Sequence, residues 1–208
     1  MTSPSIEKIW RTARRMQTLA DCPSWLPPLL FLTDRHRVSD PVAVAQSIPP
    51  GAGIILRDYD LPAREALAHA LAKVCQDRQL VLLIGGDEDL AQDTNAHGVH
   101  LPQYKISQAV LLQARHPDWI VTGAAHDLRA IRRAEQTGLD AVLVSPVFAT
   151  ESHADQKGLG VAKFAALVRS ARLPVYALGG IDDTNIDRLP STQAVGVAAI
   201  SGLAQSSD

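Results

Sequence analysis

Two short segments near the C-terminus carry residues that suit phosphate binding. Gly179 and Gly180 follow one apolar run directly, and Ile200 and Ser201 follow a second. Glycines let the backbone turn sharply and approach an anion, while N–H groups at strand ends and the Ser201 hydroxyl can donate to it. Asp182 predicts the N-cap of a helix whose N–H groups and dipole would add to the site. Together the segments predict a phosphate site, although a plain glycine turn explains the first one taken alone.

Three further polar side chains lie in or beside apolar runs. A free imidazole has a pKa of about 6.5, so His126 is the candidate catalytic acid–base residue; a surface or helix-capping histidine is the alternative. His100 lies within a run, as a residue of the site or as a hydrogen-bonded core histidine. Arg57 ends a run and can bind a carboxylate or phosphate through paired hydrogen bonds, or form an ion pair with Asp58 or Asp34.

Elements that position these residues follow from the hydrophobic pattern. Eight short runs are apolar at consecutive positions, which is typical of strands buried on both faces of a parallel sheet. Segments with helical spacing lie between them, most clearly at 61–78. The alternation predicts an α/β fold, a single (βα)8 TIM barrel, with an open doubly wound sheet as the alternative. The predicted strands are Leu29–Thr33, Gly53–Leu56, Leu80–Ile84, Gly98–Leu101, Trp119–Gly123, Ala141–Ser145, Pro174–Leu178 and Ala194–Ala199.

Both ends of the chain depart from a plain barrel. Residues 5–19 predict an extra N-terminal helix with one apolar side, formed by Ile6, Ile9, Trp10, Ala13 and Met16. We therefore divide the chain into an N-terminal helix and linker at 1–27 and a barrel at 28–208. The segment after Ile200 is too short for a full eighth helix, so the C-terminal helix is predicted to be truncated. The N-terminal helix or a second copy of the chain can fill that gap, which makes a homodimer one expectation.

Composition excludes several classes of function. The 208 residues carry a formal net charge of −2, with 46% hydrophobic and 20% charged residues, so no basic surface for nucleic acid is expected. No run of about 18 apolar residues exists that would span a membrane. The two cysteines, Cys22 and Cys75, lie far apart and suit a reducing compartment, so we expect a cytoplasmic protein.

From about Phe31 to Leu203 the chain resembles the thiamine-phosphate synthase and thiazole tautomerase superfamily of small (βα)8 barrels. The segments that carry the resemblance are Leu32-Thr33-Asp34-Arg35, Leu56-Arg57, Gly98-Val99-His100-Leu101-Pro102-Gln103, Ala125-His126, Ser145-Pro146-Val147-Phe148-Ala149-Thr150 and Leu178-Gly179-Gly180-Ile181. The resemblance implies that a thiazole phosphate, or a similar phosphate ester, is the small-molecule partner. It also implies substrate-binding roles for Arg57, His100, Gln103, Thr150, Ser152, Gly179, Gly180, Ile200 and Ser201.

Departures from the family pattern fall on its pyrophosphate side. Synthases of the superfamily join a pyrimidine diphosphate to a thiazole phosphate with magnesium held by carboxylates after strands three and four. Gly86 and Lys105 occupy those two positions here, so we expect no metal site and assign magnesium as a cofactor only if the chain is a synthase. Asp87 and Asp89 are the nearest carboxylates that could replace the missing ligands.

Three hypotheses follow. The first is a metal-independent acid–base enzyme similar to the tautomerases, whose histidine after strand five corresponds to His126. The second is a diverged magnesium-dependent thiamine-phosphate synthase, since synthases often carry the same histidine. The third is a non-catalytic protein that binds a phosphate ester. The first two are enzymes, an isomerase and a transferase, and the third is a binding module.

Overall fold

The computed structural model describes residues 2–150 and 158–204, and eight parallel strands form a closed barrel in it. Each strand pairs with the next along the chain, and β1 pairs with β8 to close the sheet. The strands are β1 Leu29–Leu32, β2 Gly53–Leu56, β3 Val81–Gly85, β4 Gly98–Leu101, β5 Ile120–Ala125, β6 Ala141–Val144, β7 Val175–Leu178 and β8 Gly196–Ala199. The predicted (βα)8 barrel is confirmed, and every predicted strand is present within two residues at each end.

Helices follow most strands and pack on the outside of the barrel. They are α1 Pro4–Leu19, α2 Pro41–Ser47, α3 Arg64–Arg78, α4 Glu88–Asp93, α5 Ala109–Arg115, α6 Leu128–Gln136, α7 Val161–Ser170 and α8 Ser201–Ala204. Almost all strand residues are buried, because side chains on one face fill the barrel and those on the other face meet the helices. Within the described residues no helix is long and apolar enough to cross a membrane.

Helix α1 is the extra N-terminal helix that the sequence predicts. It buries Ile6, Ile9, Ala13 and Met16 and contacts β8, β1 and the short α8. Within the described residues α8 has a single turn, and α1 packs beside it against β8. The Tyr176 hydroxyl donates to the Pro27 carbonyl (2.7 Å), which ties the linker after α1 to β7 inside the core.

The helix predicted to start at Asp182 does not form, and that expectation is wrong. Two 3-10 turns, Ile186–Arg188 and Pro190–Thr192, occupy this segment instead. The Asp182 carboxylate accepts the backbone N–H groups of Thr184 (2.9 Å) and Asn185 (3.2 Å), which stabilises a tight turn. Pro190 cannot donate the backbone hydrogen bond that a longer helix would need. By contrast, Asp127 caps α6 as predicted, through the N–H of Ala130 (2.7 Å).

Candidate functional site

A cleft of about 200 Å³ lies at the carboxyl ends of β7 and β8. Its lining includes Thr150, Gly179, Gly180, Ile200 and Ser201, five of the residues that the sequence marks for substrate binding. Active sites of (βα)8 barrels form at this end of the strands, and phosphate sites often lie after the last two. The structure therefore brings these five residues around one small polar space, while their contact with a ligand stays a prediction.

Two glycines are required where β7 ends. Gly179 and Gly180 have φ values of +99° and +64°, a region that residues with a side chain rarely adopt. A Cβ atom on Gly179 would lie 2.8 Å from Cα of Pro146, and one on Gly180 would lie 2.5 Å from the Ala149 carbonyl oxygen. The absence of side chains thus lets the segment after β6 pack directly against the end of β7.

Asn185 braces the loop that follows the glycines. Its side-chain amide donates to the Gly180 carbonyl (2.8 Å), and its Oδ1 accepts the N–H of Asp182 (3.2 Å). Because C=O and N–H point in opposite directions across a trans peptide, this contact also fixes the N–H of Ile181. Asp182 lines the cleft as well, but its Oδ1 accepts from the Thr184 hydroxyl (2.6 Å) and thus bonds within its own turn.

The segment after β6 holds Thr150 against the same cleft. The Val147 N–H donates to the Leu178 carbonyl (2.9 Å) and the Phe148 N–H donates to the Gly179 carbonyl (3.0 Å). The Arg188 guanidinium lies 5.1 Å from the centre of the Phe148 ring, within the range of a cation–π contact. These contacts extend the barrel edge as far as Phe148, two residues before Thr150. Ser152, which the sequence also marks for substrate binding, lies outside the described residues.

Arg37 also lines the cleft, and sequence reasoning missed it. It follows β1, in a loop without glycines or an apolar run to draw attention to it. Its guanidinium contacts Oδ2 of Asp34 through Nη2 (2.7 Å) and Nε (2.9 Å). Partial burial raises the pKa of Asp34, but the hydrogen bond and charge of Arg37, the His36 N–H and the charge of Arg57 outweigh it and lower that pKa below its usual value.

Arg57 contacts the same carboxylate oxygen of Asp34 as Arg37 does. Its Nη2 lies 2.8 Å from Oδ2 of Asp34, so one of the two ion pairs considered from the sequence does form. His100 is buried inside the barrel, 3% exposed, and its Nδ1 lies 2.9 Å from the Thr122 hydroxyl. Burial, with a contribution from the Arg57 charge, lowers the pKa of His100 to about 3. His100 is therefore a neutral group within a polar pair, and its contact with substrate stays a prediction.

His126 joins three neighbouring strand ends. Its Nδ1 lies 2.9 Å from the Ser145 carbonyl oxygen and 3.3 Å from the Ser145 hydroxyl oxygen, after β6. Its backbone N–H donates to Oε1 of Gln103, after β4 (3.2 Å). A carbonyl oxygen only accepts, so a neutral His126 that makes this bond carries its proton on Nδ1 and keeps Nε2 available as a base. Ser145 is thus a second residue that sequence reasoning did not single out.

The residues of this chain at the two positions where the resemblance implies magnesium ligands do not fit that ion. Lys105 places its ammonium 3.2 Å from the Gly86 carbonyl oxygen, where the synthases of the superfamily carry carboxylates. Asp87 is engaged elsewhere: it caps α4 at Leu90 (3.0 Å) and pairs with Arg64 (2.8 Å). Over residues 2–150 and 158–204, no group of three or more His, Cys, Asp or Glu side chains could hold a metal ion. Magnesium prefers carboxylate oxygens and water, so an ammonium and an arginine-paired aspartate make a poor site.

Comparison with known proteins decides the family. Residues 29–203 match the family model described as thiamine monophosphate synthase. The chain belongs to this family. Among its relatives, the putative thiamine-phosphate synthase 2 of Aquifex aeolicus is 32% identical over 85% of this chain and 97% of that protein. The putative thiamine-phosphate synthase of Geobacter sulfurreducens is 32% identical over 84% of this chain and 85% of that protein.

A solved structure supports the fold of this chain, which belongs to the thiamine monophosphate synthase family. Thiamine phosphate pyrophosphorylase from Pyrococcus furiosus superposes with a TM-score of 0.73, over 93% of this chain and 90% of that chain, at 22% sequence identity. At that identity the likeness concerns the barrel alone. The matched range starts at β1 and ends within α8, so it leaves out α1 and the linker.

Proposed function

We propose that this chain is an enzyme that binds a thiazole phosphate, or a similar heteroaromatic phosphate ester, and moves a proton by metal-independent acid–base chemistry at His126. The observation that carries the proposal is the bond between His126 Nδ1 and the Ser145 carbonyl (2.9 Å), since it orients the ring and assigns its proton. Family membership and the cleft at β7 and β8 support the class of ligand.

Phosphate binding would anchor the substrate. In the proposal, backbone N–H groups of Gly180, Ile200 and Ser201, together with the Thr150 hydroxyl, hold the phosphate in the cleft. The Thr150 Oγ1 is buried and accepts or donates no hydrogen bond within the described residues. Phosphate held at the ends of β7 and β8 leaves the ring free to extend toward the strand ends that carry His126 and Gln103.

Proton transfer would then use Nε2 of His126. In an aromatising tautomerisation one ring C–H bond breaks, the proton is taken up by the base, and a proton is returned to a conjugated carbon outside the ring, so no oxidant or metal is required. Nδ1 keeps its hydrogen bond to Ser145 throughout, and the imidazolium formed in between is stabilised by that carbonyl. Arg57 and Gln103 are proposed to orient the end of the ligand opposite the phosphate.

A turnover assay with a matched control tests this proposal. His126→Ala should reduce turnover of a thiazole phosphate carboxylate tautomer by at least about 100-fold, the usual contribution of a general acid–base group. His69→Ala serves as control, because His69 on α3 forms an exposed pair with Asp93 on α4 (3.0 Å) and should keep wild-type turnover. Equal activity of the wild type and His126→Ala would exclude His126 from the mechanism.

A synthase is the second candidate function, because two relatives named putative thiamine-phosphate synthase are 32% identical over most of the chain. It predicts magnesium-dependent coupling of a pyrimidine diphosphate to a thiazole phosphate. Pyrophosphate that stabilises the protein against heat only with magnesium would favour the synthase, since a ligand of the native state raises the melting temperature. Stabilisation by thiazole phosphate with neither reaction would instead indicate a binding protein.

A further inference from the structure

Arg37 lines the cleft at β7 and β8 from the loop after β1. Its side chain is 24% exposed and that of Asp34 is 13% exposed, so the pair is largely withdrawn from water. Two contacts from one guanidinium to Oδ2 of Asp34 hold Arg37 in place, since both Nε and Nη2 take part. The cleft therefore has a side-chain cation at its border that is oriented before any ligand arrives.

The trio of Asp34, Arg37 and Arg57 carries a net positive charge. The next carboxylate, Asp58, accepts the backbone N–H of Arg35 (2.7 Å). Arg37 and Arg57 both contact Oδ2 of Asp34, at 2.7 and 2.8 Å, so two guanidinium groups share one carboxylate. One of the two positive charges is left without compensation within this trio. Such an excess of charge in a partly buried place favours an anion nearby more strongly than the same charge in water does.

Among the described residues that line the cleft, Arg37 is the one cation. Its lining consists of apolar residues, glycines, two hydroxyl residues, Arg37 and Asp182. The Asp182 carboxylate accepts three hydrogen bonds from Thr184 and Asn185, which turns it toward its own loop. A phosphate monoester carries close to two negative charges at neutral pH, and backbone N–H groups offer only partial charges to it.

We propose that Arg37 binds the phosphate group in the cleft and makes the site specific for phosphorylated ligands. The inference rests on the proposed phosphate site and adds the side chain that distinguishes a phosphate ester from its alcohol. Asp34 acts as a positioning residue, because it fixes the Arg37 guanidinium without contacting the ligand. The Arg37 fork can donate two parallel hydrogen bonds to phosphate oxygens.

Binding of three probes to four proteins tests the proposal. Dissociation constants for thiazole phosphate, the corresponding thiazole alcohol and inorganic phosphate are measured by calorimetry for the wild type, Arg37→Gln, Arg37→Lys and Arg35→Gln. Arg35 belongs to the same loop but pairs with Asp60 (3.0 Å), so it controls for the loss of a nearby positive charge. Circular dichroism shows whether each variant is folded. If Arg37→Gln does not fold, Arg37→Lys still tests the geometry of the guanidinium, because it retains the positive charge.

The proposal expects binding of both phosphate probes to weaken by at least about 10-fold in Arg37→Gln, as for loss of a charge-assisted hydrogen bond. The affinity for the phosphate probes should fall less in Arg37→Lys and should not change in Arg35→Gln. The thiazole alcohol should bind all four proteins equally. Unchanged phosphate binding in Arg37→Gln overturns the proposal, and so does an equal loss for the alcohol, which would indicate a merely structural residue. If inorganic phosphate alone binds and depends on Arg37, the inference stands and the thiazole assignment fails; if neither phosphate probe binds the wild type, both fail.

Discussion

His100 offers a direct test of the electrostatics inside the barrel. It is buried on β4 beside Thr122, and burial together with the Arg57 charge lowers the pKa of its imidazole to about 3. In the unfolded chain the same imidazole has a pKa of about 6.5. At pH values between these two pKa values, His100 binds a proton in the unfolded state but not in the folded state. The free energy of unfolding must therefore fall as the pH falls below about 6.5.

The expected magnitude follows from the two pKa values. Each pH unit within the window changes the free energy of unfolding by about 1.4 kcal/mol. Going from pH 7 to pH 5, His100 alone should therefore lower it by about 2 kcal/mol. The figure is insensitive to the folded-state pKa, because any value below about 4 leaves His100 neutral in the folded protein at pH 5.

Urea unfolding at pH 5, 6 and 7 measures this contribution by difference. His100→Asn removes the titrating group and keeps an amide that can bond the Thr122 hydroxyl, so its free energy of unfolding should fall by about 2 kcal/mol less than that of the wild type over this range. Thr122→Ser is the matched control, because it disturbs the same pair but leaves the histidine and a hydroxyl in place. It should keep the wild-type pH dependence. Contributions of other groups, such as His97, whose pKa is also lowered by desolvation, cancel in the comparison.

Identical pH dependence in the wild type and His100→Asn would refute the reasoning. It would mean that folded His100 accepts a proton as readily as the unfolded chain does. Burial beside Arg57 would then not determine its charge, and water or a carboxylate would have to reach it.

Three substitutions test other contacts of the fold and site. Gly179→Ala should lower the free energy of unfolding by about 1–3 kcal/mol in urea and abolish phosphate binding. A side chain there is strained at a φ of +99° and meets Pro146. Phosphate binding equal to that of the wild type would contradict the close approach of Gly179 to Pro146. Tyr176→Phe should lower the free energy of unfolding by about 1–3 kcal/mol, because it leaves the buried Pro27 carbonyl unpaired. A decrease below a few tenths of a kcal/mol would mean that this hydrogen bond does not stabilise the fold. Asn185→Ala should keep the melting temperature within a few degrees yet weaken phosphate binding several-fold, whereas unchanged binding would remove its bracing role.

Much of the fold was accessible from local pattern. Strands buried on both faces appear as consecutive apolar residues, so β2 and β4 were predicted with the observed bounds. Helix α1 was recognised from its single apolar side, and Asp127 from its place before a helical segment. The segment after β7 misled the prediction, because two aspartates suit a helix cap and a tight turn equally well, and the turn that forms is held by contacts of Asn185 with Asp182 and Gly180.

The sequence alone determined the barrel, the family resemblance and the residues at the strand ends, since each follows from local spacing and residue type. Only the tertiary structure decided which of them meet. It brought Arg37 from the loop after β1 into the cleft at β7 and β8, because barrel closure places the first strand beside the last. It placed two arginines on the Asp34 carboxylate and set His126 against Ser145. Apart from the Asp34–Arg37 pair, these contacts join residues that are distant in the chain, and no local pattern encodes them.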